Sequence, residues 1–504
     1  MIVDGATVGH DLNVVTRVCV IGSGAGGAVI AKELAEAGLE VALLEEGGLY
    51  SGKDFTGLPR EMIDRLYRNR GLTGTVGHLT IPIPLGKCVG GTTVINSGTC
   101  YRAPDYVLEA WHRDSGIEQI EEAALRPYFE KVERELNVHP VPDATYGRNS
   151  QFFERGARAL GFAGARIPRN ERGCLGTGVC AFGCPQDAKQ AMHVSYVPKA
   201  IAAGASLYSR TRADRILVAN GRAFGVVGTL LDNQDRNTGY QIRVLADRIV
   251  VACGALLTPA LLQRSGVPDG SGWLGRNLHI HPAVRVVAMF DEEVRGWEEV
   301  PQAFNVHAFT REGIFIQGQF VPPAVEAPVL PGIGYAHKDR MARYSHLGSF
   351  GALISDVSEG RVRATRGGGW PMVTYRMCSE DVRKFTRAIG LTAQIFFAGG
   401  AREVYSAIHS RPILHSPQHV QQLLDSRLRP QDIQMMAFHP QGTCRMGEDR
   451  RRAVTNSFGE YHGVRQLYVA DASLFPSSSK VNPQVTIMAV ATRNAAHIAR
   501  GLSG

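Results

Sequence analysis

A chain of 504 residues is too long for one hydrophobic core and calls for two or three domains, while 44% hydrophobic and 20% charged residues exclude a disordered protein. Its net charge of +8 is spread along the chain, and the densest basic run, "EDRRR" at 448–452, has no aromatic interleaving, so a nucleic-acid partner is not expected. No run reaches the roughly 18 apolar residues of a membrane span. The N-terminal "MIVDGATVGHDLNVVTRV" has no basic stretch leading into an apolar one, and the nine cysteines are an odd, mostly scattered set. A cytoplasmic protein without a secreted disulfide framework is expected.

"TRVCVIGSGAGGAVIAKELAEAGLEVALLEEGG" reads as strand, glycine turn, helix and second strand. Gly22, Gly24 and Gly27 form G-x-G-x-x-G: the first permits a sharp turn, the second lets backbone approach a pyrophosphate, and the third lets helix and strand pack closely. The helix N-terminus then faces the phosphate charge. Glu45, 23 residues after Gly22, is placed to bond ribose hydroxyls, with its neighbour Glu46 as the alternative. These features point to a dinucleotide and leave FAD and a nicotinamide cofactor both open.

"LGKCVGGTTVINSGTC" at 85–100 is a second glycine loop, in which Gly86, Gly90, Gly91, Thr92 and Asn96 can lay N–H groups and hydroxyls along a further phosphate or a ring edge. "GCLGTGVCAFGCPQDAKQ" then carries Cys174, Cys180 and Cys184 as C-x5-C-x3-C-P, a spacing able to ligate iron–sulfur. Zinc with His193 as a distant fourth ligand, a disulfide and a reduced structural loop are the alternatives. "ADRIVVACGALLTPALLQRSGV" at 246–267 reads as a buried strand, a turn at Gly254 and an apolar helix. Further on, "RVRAT" and "PMVTYRM" are expected as strands flanking "RGGGW", and "SEDVRKFTRAIGLTAQIFFAGGA" as an amphipathic helix with a capping box at Ser379 and a glycine stop.

Taken with "LGRNLHIHP" at 274–282, "HPQGTCRMG" at 439–447 and "LYVADASLFPSSSKVNPQVTIMAV" at 467–490, these blocks resemble the glucose–methanol–choline family of FAD-dependent oxidoreductases, in that family's order. Residues 290–430 carry no matching block. The resemblance implies an α/β fold: a doubly wound, Rossmann-type FAD-binding domain with an inserted α+β substrate domain on an antiparallel sheet. The expected partition is 12–105, 190–285 and 430–504 for the FAD domain, 106–189 for a helical and cysteine-loop segment, and 286–429 for the substrate domain.

By the same resemblance His439 and Asn482 lie on the reactive face of the flavin, Asn482 in the Asn-Pro pattern of the cholesterol-oxidase branch. Histidine titrates close enough to working pH to take an alcohol proton, and a neutral amide orients the hydroxyl without competing for it. Pro440 and Pro483 hold the preceding residues extended. Asp471 and Ala472 are expected beside the ribityl or pyrophosphate, and Pro483 and Thr486 at a helix start facing the flavin pyrimidine. The cysteine spacing is similar to the segment holding a three-iron cluster in certain bacterial FAD-dependent glucose dehydrogenases, and similar loops occur in long-chain-alcohol-oxidase-like members without implying a cluster. With no histidine in "GGTTVINSGTC", FAD is expected to be noncovalent.

The implied activity is oxidation of a primary or secondary alcohol to aldehyde or ketone, with hydride passing to flavin N5 and His439 as base. Oxygen, a quinone or an electron-transfer protein are the acceptors such chemistry admits. "QIFFAGGA" and "FIQGQFVPPAVEAPVLPG", besides serving core and sheet, favour a bulky hydrophobic alcohol. The competing readings are a flavin-bearing lyase, an iron–sulfur-containing sugar or polyol dehydrogenase subunit, and a nucleotide-binding protein without catalysis.

Overall fold

The computed structural model describes residues 1–366 and 369–502. Two eight-stranded sheets organise it. In the first, the alternating strand Leu12–Ile21 lies centrally, flanked by Val41–Leu44 and by the long strand Asn237–Val251. The pairings among Ile2–Asp4, Ser206–Ser209, Val41–Leu44, Leu12–Ile21, Asn237–Val251 and Leu467–Val469 are all parallel. An antiparallel extension, Arg222–Leu231 and Thr211–Ala219, completes the sheet. Parallel strands are covered on both faces, which is why "VALL" is buried throughout. The helices Gly27–Glu36, Tyr196–Ala202 and Gln484–Arg500 supply part of that cover.

The second sheet is antiparallel: Ile413–Leu414, Glu403–Tyr405, Pro282–Met289, Leu347–Ile354, Ile314–Gly318, Phe304–Val306 and Gly164–Arg166, with Met435–Ala437 pairing to Pro282–Met289. Its two faces alternate along each strand. Val284, Val286, Ala352 and Ile316 point into a core shared with Phe385, Ile389 and Phe396 of the helix Ser379–Ala398. Phe153, from the helix Arg148–Ala159, stacks on Phe350 in the same core. Ala283, Phe315 and Leu353 form a separate apolar row on the opposite face.

The expected partition and the sheets differ at their edges. Ile2–Asp4 joins the first sheet, while Gly164–Arg166, Pro282–Met289 and Met435–Ala437 all belong to the second. Strands of three residues give too few alternations for a periodic signal, and backbone pairing is indifferent to sequence distance. The strands Gly360–Arg363 and Met372–Tyr375 pair as an antiparallel hairpin; Gly367 and Gly368 of the intervening "RGGGW" lie outside the described residues. The capping box at Ser379 is not formed. Cys378 occupies the N-cap without a side-chain bond, and Asp381 instead accepts hydrogen bonds from the N–H groups of Val357 and Ser358 on a neighbouring loop. No helix of the described residues is long and apolar enough to cross a membrane.

Candidate active site

A cavity of about 730 Å³ lies between the two sheets, running from the glycine turn to His439 and Asn482. At its nucleotide end each glycine has a separate reason. Gly22 has φ +100°, and a Cβ there would stand 2.4 Å from Ala252 O. A Cβ on Gly27 would stand 1.9 Å from Gly22 O, so only glycine lets the helix begin against the strand end. Gly24 lines the cavity, and a Cβ there would meet nothing within 4 Å. That open space is what a closely approaching pyrophosphate requires.

The two glycine loops are tied together. Glu45 accepts from Ser23 N at 3.0 Å, Ser23 Oγ at 2.7 Å and Gly47 N at 2.9 Å, and Gly90 N donates to Ser23 Oγ at 2.9 Å. Burial raises the Glu45 carboxyl, and these donors oppose the rise. Glu46 forms a two-bond pair with Arg68, whose charge helps hold that carboxylate down at about 2 against its burial. Gly86 N donates to Thr92 Oγ1 at 3.1 Å, and Asn96 Nδ2 donates to Gln484 Oε1 at 2.7 Å, tying the second loop to the last helix. Gly86, Gly91, Thr92 and Asn96 line the cavity, whereas Gly27 and Gly90 stand behind it as packing positions.

Asp471 accepts from Gly254 N at 2.9 Å, Thr258 Oγ1 at 2.5 Å and Ser473 N at 2.8 Å, pinning two element starts together at the cavity wall beside Ala472. Thr486 differs from expectation. It is fully buried, and its Oγ1 accepts from Ala103 N at 3.0 Å, so packing turns it away from the cavity that Pro483, Gln484 and Ile487 line. Pro483 is the N-cap of the helix Gln484–Arg500, whose first N–H groups have no intrahelical partner. The positive end of that helix therefore opens beside Asn482.

At the other end Asn482 Nδ2 lies 3.4 Å from His439 Nε2, and His439 Nδ1 lies 3.0 Å from His281 Nδ1. With Asn482 as donor, Nε2 of His439 is the unprotonated nitrogen; Nδ1 carries the hydrogen and donates it to His281. Burial pulls His439 down from 6.5 to about 4, and burial with the neighbouring His439 pulls His281 well below its ordinary value. The site thus holds a neutral imidazole at neutral pH, its Nε2 lone pair facing Asn482 Nδ2. Asn482 Oδ1 is buried without a hydrogen-bond partner.

His281 has φ +47°, a left-handed backbone that costs a non-glycine residue about 1–3 kcal/mol and that clusters at functional sites. Sequence reasoning passed over it, although His281-Pro282 repeats the His439-Pro440 dipeptide.

The three cysteines line a cavity of about 10 Å³, the size of roughly one water. Arg169 Nη2 donates to Cys180 Sγ at 3.5 Å, and Lys189 Nζ donates to the carbonyls of Val94, Asn96 and Cys180. Two buried cations therefore brace this loop against the second glycine loop. Burial pushes the Cys174 thiol up to about 12. His193 stands edge-on to Phe55 and 3.5 Å from Asp187. Among the described residues no group of three or more His, Cys, Asp or Glu side chains is arranged to hold a metal ion. The expected iron–sulfur or zinc site is therefore not shown at this loop.

Two family models, both described as GMC oxidoreductase, match residues 63–283 and 356–491. An uncharacterized GMC-type oxidoreductase of Mycobacterium tuberculosis is 39% identical over 94% of this chain and 74% of its own length. A long-chain-alcohol oxidase of Arabidopsis thaliana is 28% identical over 98% of this chain and 70% of its own. Among solved structures, pyridoxine 4-oxidase from "Mesorbium loti" superposes with a TM-score of 0.72 at 19% identity, covering 96% of this chain and 99% of that one. The two family models together span most of the chain, which belongs to the GMC family of FAD-dependent oxidoreductases.

Proposed function

We propose that the protein oxidises a primary or secondary alcohol to an aldehyde or ketone, with noncovalent FAD held by the two glycine loops. The observation that carries this reading is the opening of the neutral His439–Asn482 pair onto the same cavity as Gly24. Gly22, Gly24, Gly91, Thr92 and Asn96 would hold the cofactor, Glu45 its ribose end, and the start of the helix Gln484–Arg500 its ring end. Bound FAD would supply the hydride acceptor at N5.

The protein's own groups supply the rest. A substrate hydroxyl set against both side chains accepts from Asn482 Nδ2 and gives its proton to His439 Nε2 as the carbon loses hydride. His281, hydrogen-bonded to Nδ1, holds the ring in the tautomer that leaves Nε2 unprotonated. The positive helix end beside Asn482 stabilises negative charge that develops in the cavity.

Anaerobic addition of alcohols to the purified protein tests this: visible flavin absorbance should bleach with a primary or secondary alcohol. Before addition the spectrum should be that of flavin alone, and acid precipitation should release all of it into the supernatant. A broad brown absorbance destroyed by acid would restore the cysteine loop as a cluster site, and flavin left on the precipitate would contradict noncovalent binding.

The pH dependence follows from His439. Only the neutral ring takes a proton, and its pKa lies near 4 rather than 6.5, so kcat/KM should stay level from neutral pH down through pH ~5 and be half lost near pH ~4. An acid limb centred near the free-imidazole value would mean that the base is a solvated histidine instead.

A further inference from the structure

Beyond the reacting groups, the cavity-facing side of the antiparallel sheet changes character along its strands. Nearest His281 comes an apolar row, in which Ala283 pairs with Leu353, Leu353 pairs with Phe315, and Phe438 packs alongside. The next same-facing row is polar: Arg285 pairs with Gly351, and Gly351 pairs with Gln317. Gln319 lies across Gly351, where a Cβ would stand 2.5 Å from its Oε1, so glycine leaves room for that amide. Arg285, Gln317 and Gln319 all line the cavity that holds His439.

This row is incompletely bonded. Arg285 is 8% exposed, Gln317 4% and Glu326 1%. Arg285 Nη1 donates to Glu326 Oε2 at 2.9 Å, yet Arg285 Nε, Glu326 Oε1 and Gln317 Oε1 are buried with no partner. Buried polar atoms are nearly always satisfied, so a donor on Arg285 and an acceptor on Gln317, orphaned in one row of the cavity wall with Glu326 Oε1 behind them, call for a ligand group. Because Glu326 neutralises Arg285, the patch carries no net charge and suits a group that both donates and accepts rather than an anion.

We propose that this row binds a hydroxyl at the far end of the substrate, making the preferred alcohol a hydroxylated one: reacting carbinol at His439, apolar body against Phe315 and Leu353, polar end at Arg285 and Gln317. The inference rests on the alcohol-oxidation reading above and narrows its substrate class. From Pro282, next to His281, to Arg285 is three residue steps of strand, roughly 10 Å at about 3.3 Å per residue, so the two ends of such a substrate are well separated.

The test uses the FAD-loaded protein and, at each of several chain lengths, three probes: a straight-chain terminal alcohol, the diol with a second hydroxyl at its far end, and that diol with the far hydroxyl methylated. At one chain length the diol should exceed both others in kcat/KM by about tenfold to a hundredfold, well beyond its twofold statistical advantage. The difference should lie in KM, because the contact is remote from the reacting carbon and is equal in ground and transition states. Removing Arg285 alone would strand the buried Glu326, so the informative variants are the double Arg285→Met/Glu326→Leu and the single Gln317→Leu. Both should reduce the diol preference, the double variant to its statistical value.

Equal or better use of the plain alcohol at every length, or a diol preference that survives the double variant, overturns the inference while leaving alcohol oxidation standing. Flavin that no probe bleaches, in company with a wider alcohol panel, overturns the parent reading as well.

Discussion

His439→Ala is expected to slow reduction of the bound flavin by an alcohol by about 10²–10⁴-fold, the range general-base catalysis contributes. The side chain is buried in the cavity wall, its Nε2 stands against Asn482 Nδ2, and its Nδ1 is engaged by His281, so no other described group in that constellation offers a neutral lone pair to the substrate proton. None of the hydrogen bonds joining the two glycine loops involves His439, so FAD content should be unchanged. The check is anaerobic rapid-mixing absorbance of the variant beside its flavin-to-protein ratio. Full-rate bleaching with full flavin content would remove His439 from the role of base; loss of flavin with loss of rate would make it structural.

Gly24→Val should give a folded protein that has largely lost FAD. A Cβ at Gly24 meets no protein atom within 4 Å, so the apoprotein has nothing to rearrange, but the added branches fill the space left for a pyrophosphate. Overpacking costs about 1–3 kcal/mol and each lost charge-assisted hydrogen bond about 1.5–3 kcal/mol, together roughly a hundredfold to ten-thousandfold in Kd. Gly27→Ala is the contrast: its Cβ would stand 1.9 Å from Gly22 O, so the strand–helix junction itself must open and stability falls with or without cofactor. Thermal unfolding of both apoproteins, set beside FAD titrations, separates the cases. An apo transition lowered as far in Gly24→Val as in Gly27→Ala would mean that Gly24 serves the turn and not the ligand.

Much of this was readable from local pattern. Alternation in "RVCVIG", the glycine spacing and the acid at the end of the second strand follow from requirements within about 25 residues of chain, and such requirements leave their mark as residue types at set distances. His439 and Asn482 were legible for another reason, since each precedes a proline inside a recognisable block. What those patterns do not carry is how elements rotate and meet. Thr486 reads like a helix-start residue facing a ligand, but packing against the segment at Ala103 turns it inward and gives the cavity Gln484 and Ile487. C-x5-C-x3-C-P has the spacing of a cluster site, and only the arrival of Arg169 and Lys189 from outside the triad shows the loop braced by cations.

His281 reaches His439 across 158 residues, and Arg285 meets Glu326 across 41. The first depends on the pairing of Pro282–Met289 with Met435–Ala437, and the second on the short helix Pro323–Glu326 meeting the sheet at Arg285. The sequence by itself determined the family's chemistry, because turns, helix starts and proline-fixed side chains are local. The tertiary structure alone decided which groups flank the His439 ring, the bracing of the cysteine loop and the polar wall of the cavity, because each depends on which non-local side chains share a buried space.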